Sequence, residues 1–527
     1  MLVFRSQRTR FDRRGPSDVR PGAAPSRRPG AVGVEDAPAD ATPPPQPASG
    51  RSQRALRAVP DRPNRKTRRR GDGPEAENAV LFAYESGVKA AFDGIVPVLK
   101  KVSALQHEPD FERRAQRIAQ ESLGFELPRD ILADAWVTQL DMKRLFAWCV
   151  FAAYRAYCDD FYRNDPLALD TADGFQALLQ DCGFHTLDIT PCADGRLAHV
   201  IRYVLRLPQD AVRRKSYAGA LFDVENSLAK WVEVEMRRYR EGALNTADAP
   251  TRYLKAVVYH YSSVDPEHQG CAAHGSDTAK AARAGLERLE AFRTAVENSY
   301  CCGASIDLLL IGLDTDTDAV RMHLPDAEGR IELGRYVDAL ELDRSRLGTD
   351  REAGIEQRLR ETFPAGDDGM VRFATRLLHN NLAQVDYVRR YHGDAYWDTG
   401  HAERFIGAGV GFEEVQLRNL MYFAYLDTVE EATADLDVGI EIFTGLNVRC
   451  GLPVPVVVRF DYHGRVPGAR ERAVGRCRRV AEAVHARYAD LSARGLLHTL
   501  QVVRDCDGGE AIEMLHCSTQ AQAVEDH

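Results

Sequence analysis

His185-Thr186-Leu187-Asp188-Ile189-Thr190-Pro191-Cys192-Ala193-Asp194-Gly195-Arg196 is the stretch on which the reading of this chain turns. Its first half has the pattern of a short strand, and its second half places a thiol, a carboxylate and a guanidinium at the strand's end. Alternate side chains of an extended chain share a face, so Cys192, Asp194 and Arg196 can converge. A thiolate is a zinc ligand, and a carboxylate two residues on can hydrogen-bond a zinc-bound water. An arginine two further on can hold that carboxylate ionised through a bidentate contact. A purely structural zinc site has no use for such an acid–arginine pair.

Cys192 needs partners, and the segment Val258-Tyr259-His260-Tyr261-Ser262-Ser263-Val264-Asp265-Pro266-Glu267-His268-Gln269-Gly270-Cys271 supplies them. Cys271 is a natural second thiolate. Two histidines compete for the third place. His260 falls at the C-terminal end of an expected strand, where open α/β sheets gather their ligands. His268 lies in the following loop with the compact spacing His-x-x-Cys. Spacing alone does not choose between them. Either way, three ligands of the Cys₂His type leave zinc one open position, the catalytic arrangement.

Around this centre the periodicities alternate. Ala256–Tyr261 and Ser305–Leu313 read as strands, Thr278–Tyr300 as the helix between them, and Ala319–Leu324 as a further strand. The same order returns later: strand Pro455–Phe460, helix Ala469–Arg494, strand Leu497–Arg504, an acidic turn, and strand Ile512–Leu515. This is an internal duplication. Aligning Val257-Val258 with Val457-Val458 puts Phe460 opposite His260, and the second copy has no Cys-x-Asp-x-Arg. It is a degenerate repeat that has lost the metal. Before both copies, Ala79–Leu105, Asp110–Gly124 and Asp130–Tyr157 show helical spacing, with Trp136, Phe146, Trp148 and Phe151 expected in the core between helices. The expected fold class is α/β with an all-α N-terminal domain. The expected division is a tail at 1–76, a helical domain at 77–165, a zinc catalytic domain at 166–405 and the degenerate copy at 406–527.

Composition separates the tail from the body. Residues 1–70 hold 17 Lys and Arg against 6 Asp and Glu, whereas the remaining chain holds 52 against 72. Of the 25 prolines, 12 lie in residues 1–75. Such a segment buries too little apolar surface to offset its chain entropy and is expected to be disordered. Arg5-Ser6-Gln7-Arg8 recurs as Arg51-Ser52-Gln53-Arg54, and spaced basic motifs on a flexible chain suit multivalent capture of an acidic protein surface. Nucleic-acid binding would rest on charge alone. The 11 cysteines are scattered in a long chain whose start has no apolar signal segment, which favours reduced thiols in the cytosol. The longest apolar run, Leu145–Tyr154, is too short to span a bilayer.

Other signals are weaker. Cys182-Gly183-Phe184-His185 has metal-like spacing but reads as a buried thiol beside a core histidine. Cys301-Cys302 receives no role. Asp314-Thr315-Asp316-Thr317-Asp318 resembles the opening of a calcium loop. It places Ala319 where glycine is required and Pro325 where the bidentate glutamate belongs, so a solvated turn is expected instead. Gly407-Ala408-Gly409-Val410-Gly411 lacks the context of a dinucleotide loop. His401, at the junction of the copies, either lines the pocket or caps a surface helix.

Cys-x-Asp-x-Arg followed by a His/Cys pair, within a duplicated α/β domain, resembles the β-class carbonic anhydrases. The whole layout is similar, over essentially the full chain, to the carboxysome shell carbonic anhydrases. In that family the His-to-Cys spacing is long, as between His260 and Cys271, so the resemblance implies Cys192, His260 and Cys271 as zinc ligands, one Zn²⁺ per chain. It implies Asp194 and Arg196 as the catalytic dyad, and reversible hydration of CO₂ to bicarbonate by hydroxide on zinc. It further implies a homodimer or larger assembly inside the carboxysome, with the tail bound to Rubisco or shell proteins, no nucleic acid and no membrane. The alternative outside this resemblance is a non-catalytic scaffold stapled by zinc and acting through its tail.

Overall fold

Tyr253–Tyr261 is buried at every position, the mark of a strand covered on both faces at the centre of a parallel sheet. In the computed structural model this run lies in a strand, Thr251–Tyr261, around which the first α/β unit is built. The structure describes residues 73–163, 167, 172–208, 212–242, 251–299, 304–345, 350–397, 400–412, 416–425, 433–507 and 512–520. The basic repeats of the tail and Cys301-Cys302 lie outside the described residues.

Helices come first: α1 (Gly73–Asp93), α2 (Ile95–Ser103), α3 (Phe111–Leu123), α4 (Arg129–Asp134) and α5 (Met142–Arg163). Helix α3 shows why they pack. Phe111, Ala115, Ala119 and Leu123 recur every fourth residue and are buried, and Gly124 at φ 81° ends the helix. The expected helix Asp130–Tyr157 is interrupted between α4 and α5. Trp136 falls in that interruption and is 82% exposed, contrary to the expectation of a core residue, whereas Phe146 and Phe151 are buried. Without a helix at this point, Trp136 has no inward-facing stripe to join. Among the described residues no helix is long and apolar enough to cross a membrane.

The first α/β unit contains α6 (Ala172–Asp181), β1 (Thr186–Pro191), β2 (Arg213–Arg214), α7 (Val224–Arg240), β3 (Thr251–Tyr261), α8 (Thr278–Ser299), β4 (Ala304–Asp314), β5 (Val320–His323), β6 (Val337–Asp338), α9 (Ala339–Arg344), α10 (Arg351–Thr362) and α11 (Asp368–His392). The second contains β7 (Phe405–Val410), β8 (Met421–Tyr425), α12 (Thr433–Leu446), β9 (Val454–Tyr462), α13 (Ala469–Arg487), α14 (Ala489–Ala493), β10 (Leu497–Asp505) and β11 (Glu513–Cys517).

The duplication is visible strand for strand. The first sheet runs β2-β1-β3-β4-β5-β6 and the second, read from its other edge, β8-β7-β9-β10-β11. In each, three consecutive pairings are parallel and the next is antiparallel. Thr190 pairs with Val257 in the first sheet and Gly407 with Val457 in the second, so Cys192 corresponds to Gly409 and His260 to Phe460. Gly409 has φ 128°, and a Cβ there would strike the carbonyl of Arg459. The second copy lacks not only the thiol but the space for any side chain at that position. The glycine run around it is a close approach of strands, in keeping with the absence of a dinucleotide loop.

One expectation is overturned beside the site. Asp314, Asp316 and Asp318 are all buried rather than solvated. Each carboxylate finds donors: Ser263 and Thr317 for Asp314, Ser262 and the backbone N–H of Val264 for Asp316, Gln384 and Tyr396 for Asp318, which also faces His199. Buried carboxylates persist when they accept hydrogen bonds in this way, here through both oxygens of Asp314 and through one oxygen each of Asp316 and Asp318. The turn therefore anchors the chain that leaves β3 immediately after His260.

Candidate metal centre

Cys192 directly follows β1 and His260 is the penultimate residue of β3, so adjacent parallel strands carry both to the C-terminal edge of the sheet. That edge is where ligands of open α/β sheets collect. Cys271 arrives from the loop after β3, at the start of the short turn Ala272–His274. One thiol sulfur from each cysteine and one ring nitrogen of His260 lie within 4.8 Å of one another, and all three residues are buried. His268 is elsewhere. Its side chain is 73% exposed and its Nδ1 lies 2.9 Å from Asp265. Cys182 is buried, and His185 accepts from the backbone N–H of Arg252, so that pair forms no site.

The backbone prepares this corner for negative sulfur. Gly219 N–H donates to Cys192 Sγ at 3.3 Å, and the amides of Ala273 and His274 favour the anion of Cys271. The hydrogen bond between the two sulfurs lowers the pKa of Cys271 and, together with burial, pushes that of Cys192 up. A proton is thus shared where a cation would replace it. Burial opposes the charged form of His260, but Asp194 and Cys192 outweigh it and lift its pKa to about 9. The Nδ1 of His260 is buried without a hydrogen-bond partner. Two thiols and an imidazole, with one ring nitrogen unsatisfied, are a donor set suited to zinc.

Arg196 and Asp194 meet as expected, but through a turn and not along an extended chain: Asp194 caps the 3₁₀ turn Gly195–Leu197 and accepts from the backbone N–H of Arg196 at 2.9 Å. Arg196 Nε donates to Oδ1 of Asp194 at 3.0 Å and Nη2 to Oδ2 at 2.7 Å, with both side chains buried. Arg196 is itself held by the carbonyls of Gln269 and Gly270, just before Cys271. Burial disfavours an ionised Asp194, but the Arg196 and His260 charges overcome it and hold the carboxyl well below the usual range. Oδ2 lies 3.3 Å from His260 Nε2, so the acid stands beside the candidate donor set.

A cavity of about 20 Å³ opens on this group, room for roughly one water. Its far wall comes from the second copy: Tyr422 of β8 and Val438 and Ile442 of α12. The copies also clasp the motif's backbone. Asn419 N–H donates to Gly195 O at 2.9 Å, and Ala218 N–H donates to Asp435 Oδ1 at 2.6 Å. Glu403 packs so closely on Gly195 that a Cβ there would overlap its carboxylate, which explains the glycine inside the motif. His401 lines the cavity and binds Glu403 through Nδ1. Gly219, His274, Glu403 and Tyr422 were not legible as site residues. They carry no distinctive spacing, and folding alone brings them to Cys192.

A three-donor centre flanked by a clamped carboxylate, on the C-terminal edge of a parallel sheet, is an arrangement suited to a metal ion and to acid–base chemistry beside it. Comparison with known proteins agrees. The family model described as the catalytic domain of carboxysome shell carbonic anhydrase matches residues 174–401, its C-terminal counterpart 402–519 and its N-terminal counterpart 74–162. The carboxysome shell carbonic anhydrase of Parasynechococcus marenigrum is 57% identical over 441 residues, covering 82% of this chain and 76% of that protein. That of Prochlorococcus marinus is 54% identical over 471 residues, covering 87% and 92%. That of Halothiobacillus neapolitanus is 46% identical over 452 residues, covering 83% and 88%. The chain belongs to the carboxysome shell carbonic anhydrase family. It is an enzyme of the carbonic anhydrase class.

Proposed function

We propose that the chain interconverts CO₂ and bicarbonate at a single zinc ion held by Cys192, His260 and Cys271. The observation that carries this reading is the open three-donor set beside an Asp194 already clamped by Arg196. Zinc there would supply Lewis acidity and an open position at which water ionises with a pKa of about 7.

The protein's own groups do the rest. Asp194 stays ionised, and because an oxygen of a carboxylate has more than one lone pair, Oδ2 can accept from water while bound by Arg196. Accepting that hydrogen bond turns the remaining lone pair of the water toward CO₂. Arg196 keeps the carboxylate anionic and prevents it from swinging onto the metal. Val438 and Ile442 offer an apolar wall that favours CO₂ over the bicarbonate anion.

The relatives' name places them at the carboxysome shell, and we carry that location to this chain. There the useful direction is dehydration of bicarbonate, which delivers CO₂ to Rubisco. The basic tail, 17 Lys and Arg against 6 Asp and Glu in residues 1–70, would tether the enzyme to Rubisco or to shell proteins, with a homodimer as the working unit. A stopped-flow CO₂-hydration assay with metal analysis on the same sample tests the reading. Activity tracking one zinc per chain supports it, and full activity without metal overturns it. The zinc-stapled scaffold would need a fourth ligand. Among the described residues none joins the set, and the exposure of His268 counts against it.

A further inference from the structure

Each turnover, CO₂ + H₂O ⇌ HCO₃⁻ + H⁺, releases or consumes one proton in a small cavity lined mostly by buried side chains. Of the titratable side chains lining it, Cys192, Asp194, His260, Cys271 and Tyr422 are all buried. His401 is the exception, with a side chain 27% exposed. Among the described residues of that lining it is therefore the one titratable group that touches both the site and the solvent.

Its surroundings are built for exchange at one nitrogen. Nδ1 of His401 lies 2.9 Å from Oε1 of Glu403, a side chain with no exposure. Oε2 of Glu403 is buried without a hydrogen-bond partner. Tying Nδ1 to the carboxylate as a donor leaves Nε2 as the atom that gains and loses a proton. Asp194, Glu403 and His401 each offer an atom within 4.8 Å of the others, so the relay would begin beside the clamped acid. Burial opposes a charged His401, but Glu403 and Asp194 overcome it against the contrary effect of Arg196, and lift its pKa to about 9.

We propose that His401 is the proton relay between the pocket and solvent, with Glu403 as the positioning residue that fixes its ring. In dehydration the C–O bond of bicarbonate breaks and CO₂ leaves. The hydroxide left in the pocket takes the proton from Nε2 of His401, and solvent returns one to that nitrogen. Hydration runs the same steps backward. The relay rests on the carbonic anhydrase reading.

The test uses the full zinc-loaded chain with His401→Ala, His401→Gln and Glu403→Gln, at low and high buffer concentration. In low buffer, His401→Ala and His401→Gln should lower kcat by at least about tenfold. Zinc content and kcat/KM should stay near wild type, and added imidazole should restore kcat. Unchanged kcat in low buffer, or no rescue by imidazole, overturns the relay. Joint loss of zinc and kcat/KM in both variants marks His401 as structural and also overturns it. A wild type without CO₂ hydration fails the carbonic anhydrase reading instead, so the two failures are distinguishable. A second readout needs no turnover. Side-chain ¹⁵N NMR should show His401 titrating lower in Glu403→Gln than in wild type, and no difference removes Glu403 from the role.

Discussion

Arg196 grips both carboxylate oxygens of Asp194, Nε to Oδ1 at 3.0 Å and Nη2 to Oδ2 at 2.7 Å, in a corner where both side chains are buried. A planar fork matches a carboxylate in a way an ammonium cannot. Arg196→Lys should therefore keep the charge and lose the clamp. Turnover should fall by roughly 10²-fold while zinc stays bound, measured by stopped-flow hydration and metal analysis of the same preparation. Retained turnover would show that charge alone suffices.

Asp194→Asn removes the acceptor without removing a metal donor. Turnover should drop by about 10²- to 10⁴-fold with zinc content unchanged. Cys192→Ala, by contrast, should lose the metal and the activity together.

The two histidines give a clean contrast. His268→Ala alters an exposed side chain paired to Asp265, and should leave zinc content and turnover at wild-type levels. His260→Ala should abolish both. The opposite pattern would return the third ligand to the loop.

Gly195→Ala should destabilise the protein by roughly 1–3 kcal/mol, because the new methyl meets the carboxylate of Glu403. Combining it with Glu403→Ala should recover much of the loss, the non-additivity expected of touching residues. Denaturant midpoints of the two single variants and the double variant measure this.

Glu85 joins the helical region to α11, with Oε1 2.5 Å from Lys89 and Oε2 2.5 Å from the hydroxyl of Tyr387. Burial would raise its pKa, but Lys89 and Tyr387 lower it from 4.5 to about 2. A depressed carboxylate stabilises the fold above its unfolded pKa, and the contribution is lost as pH falls through the folded value. Glu85→Gln should cost up to about 3 kcal/mol at neutral pH, and the gap from wild type should close between pH 4.5 and 2. Unfolding curves of both proteins across that window provide the check.

What the sequence revealed about the site was its local part. Cys192, Asp194 and Arg196 sit within five residues, and that closeness was enough to predict their meeting, although it comes about through the helical turn Gly195–Leu197 capped by Asp194 and not through an extended chain. The register of the second copy was legible too, because a buried parallel strand leaves an unmistakable apolar run in each half. Glu403, Tyr422 and Ile442 were invisible for the opposite reason. Each is more than 200 residues from Cys192, and only the packing of one copy on the other brings them there. Asp314, Asp316 and Asp318 misled because charge suggests solvent, while the donors that bury them, Ser262 and Gln384 among them, come from separate elements. Trp136 misled because a helical period was extended through a break.

The wall formed by Tyr422, Val438 and Ile442 bears on any effort to miniaturise this catalyst. A fragment ending at residue 401 would keep Cys192, His260, Cys271, Asp194 and Arg196, and on paper would look complete. It would nonetheless open one side of its reaction chamber to bulk water and leave Gly195 and Ala218 without the groups that steady them. The half that lost its own chemistry has become scaffolding for the other, so the smallest working catalyst cut from this chain must retain both halves.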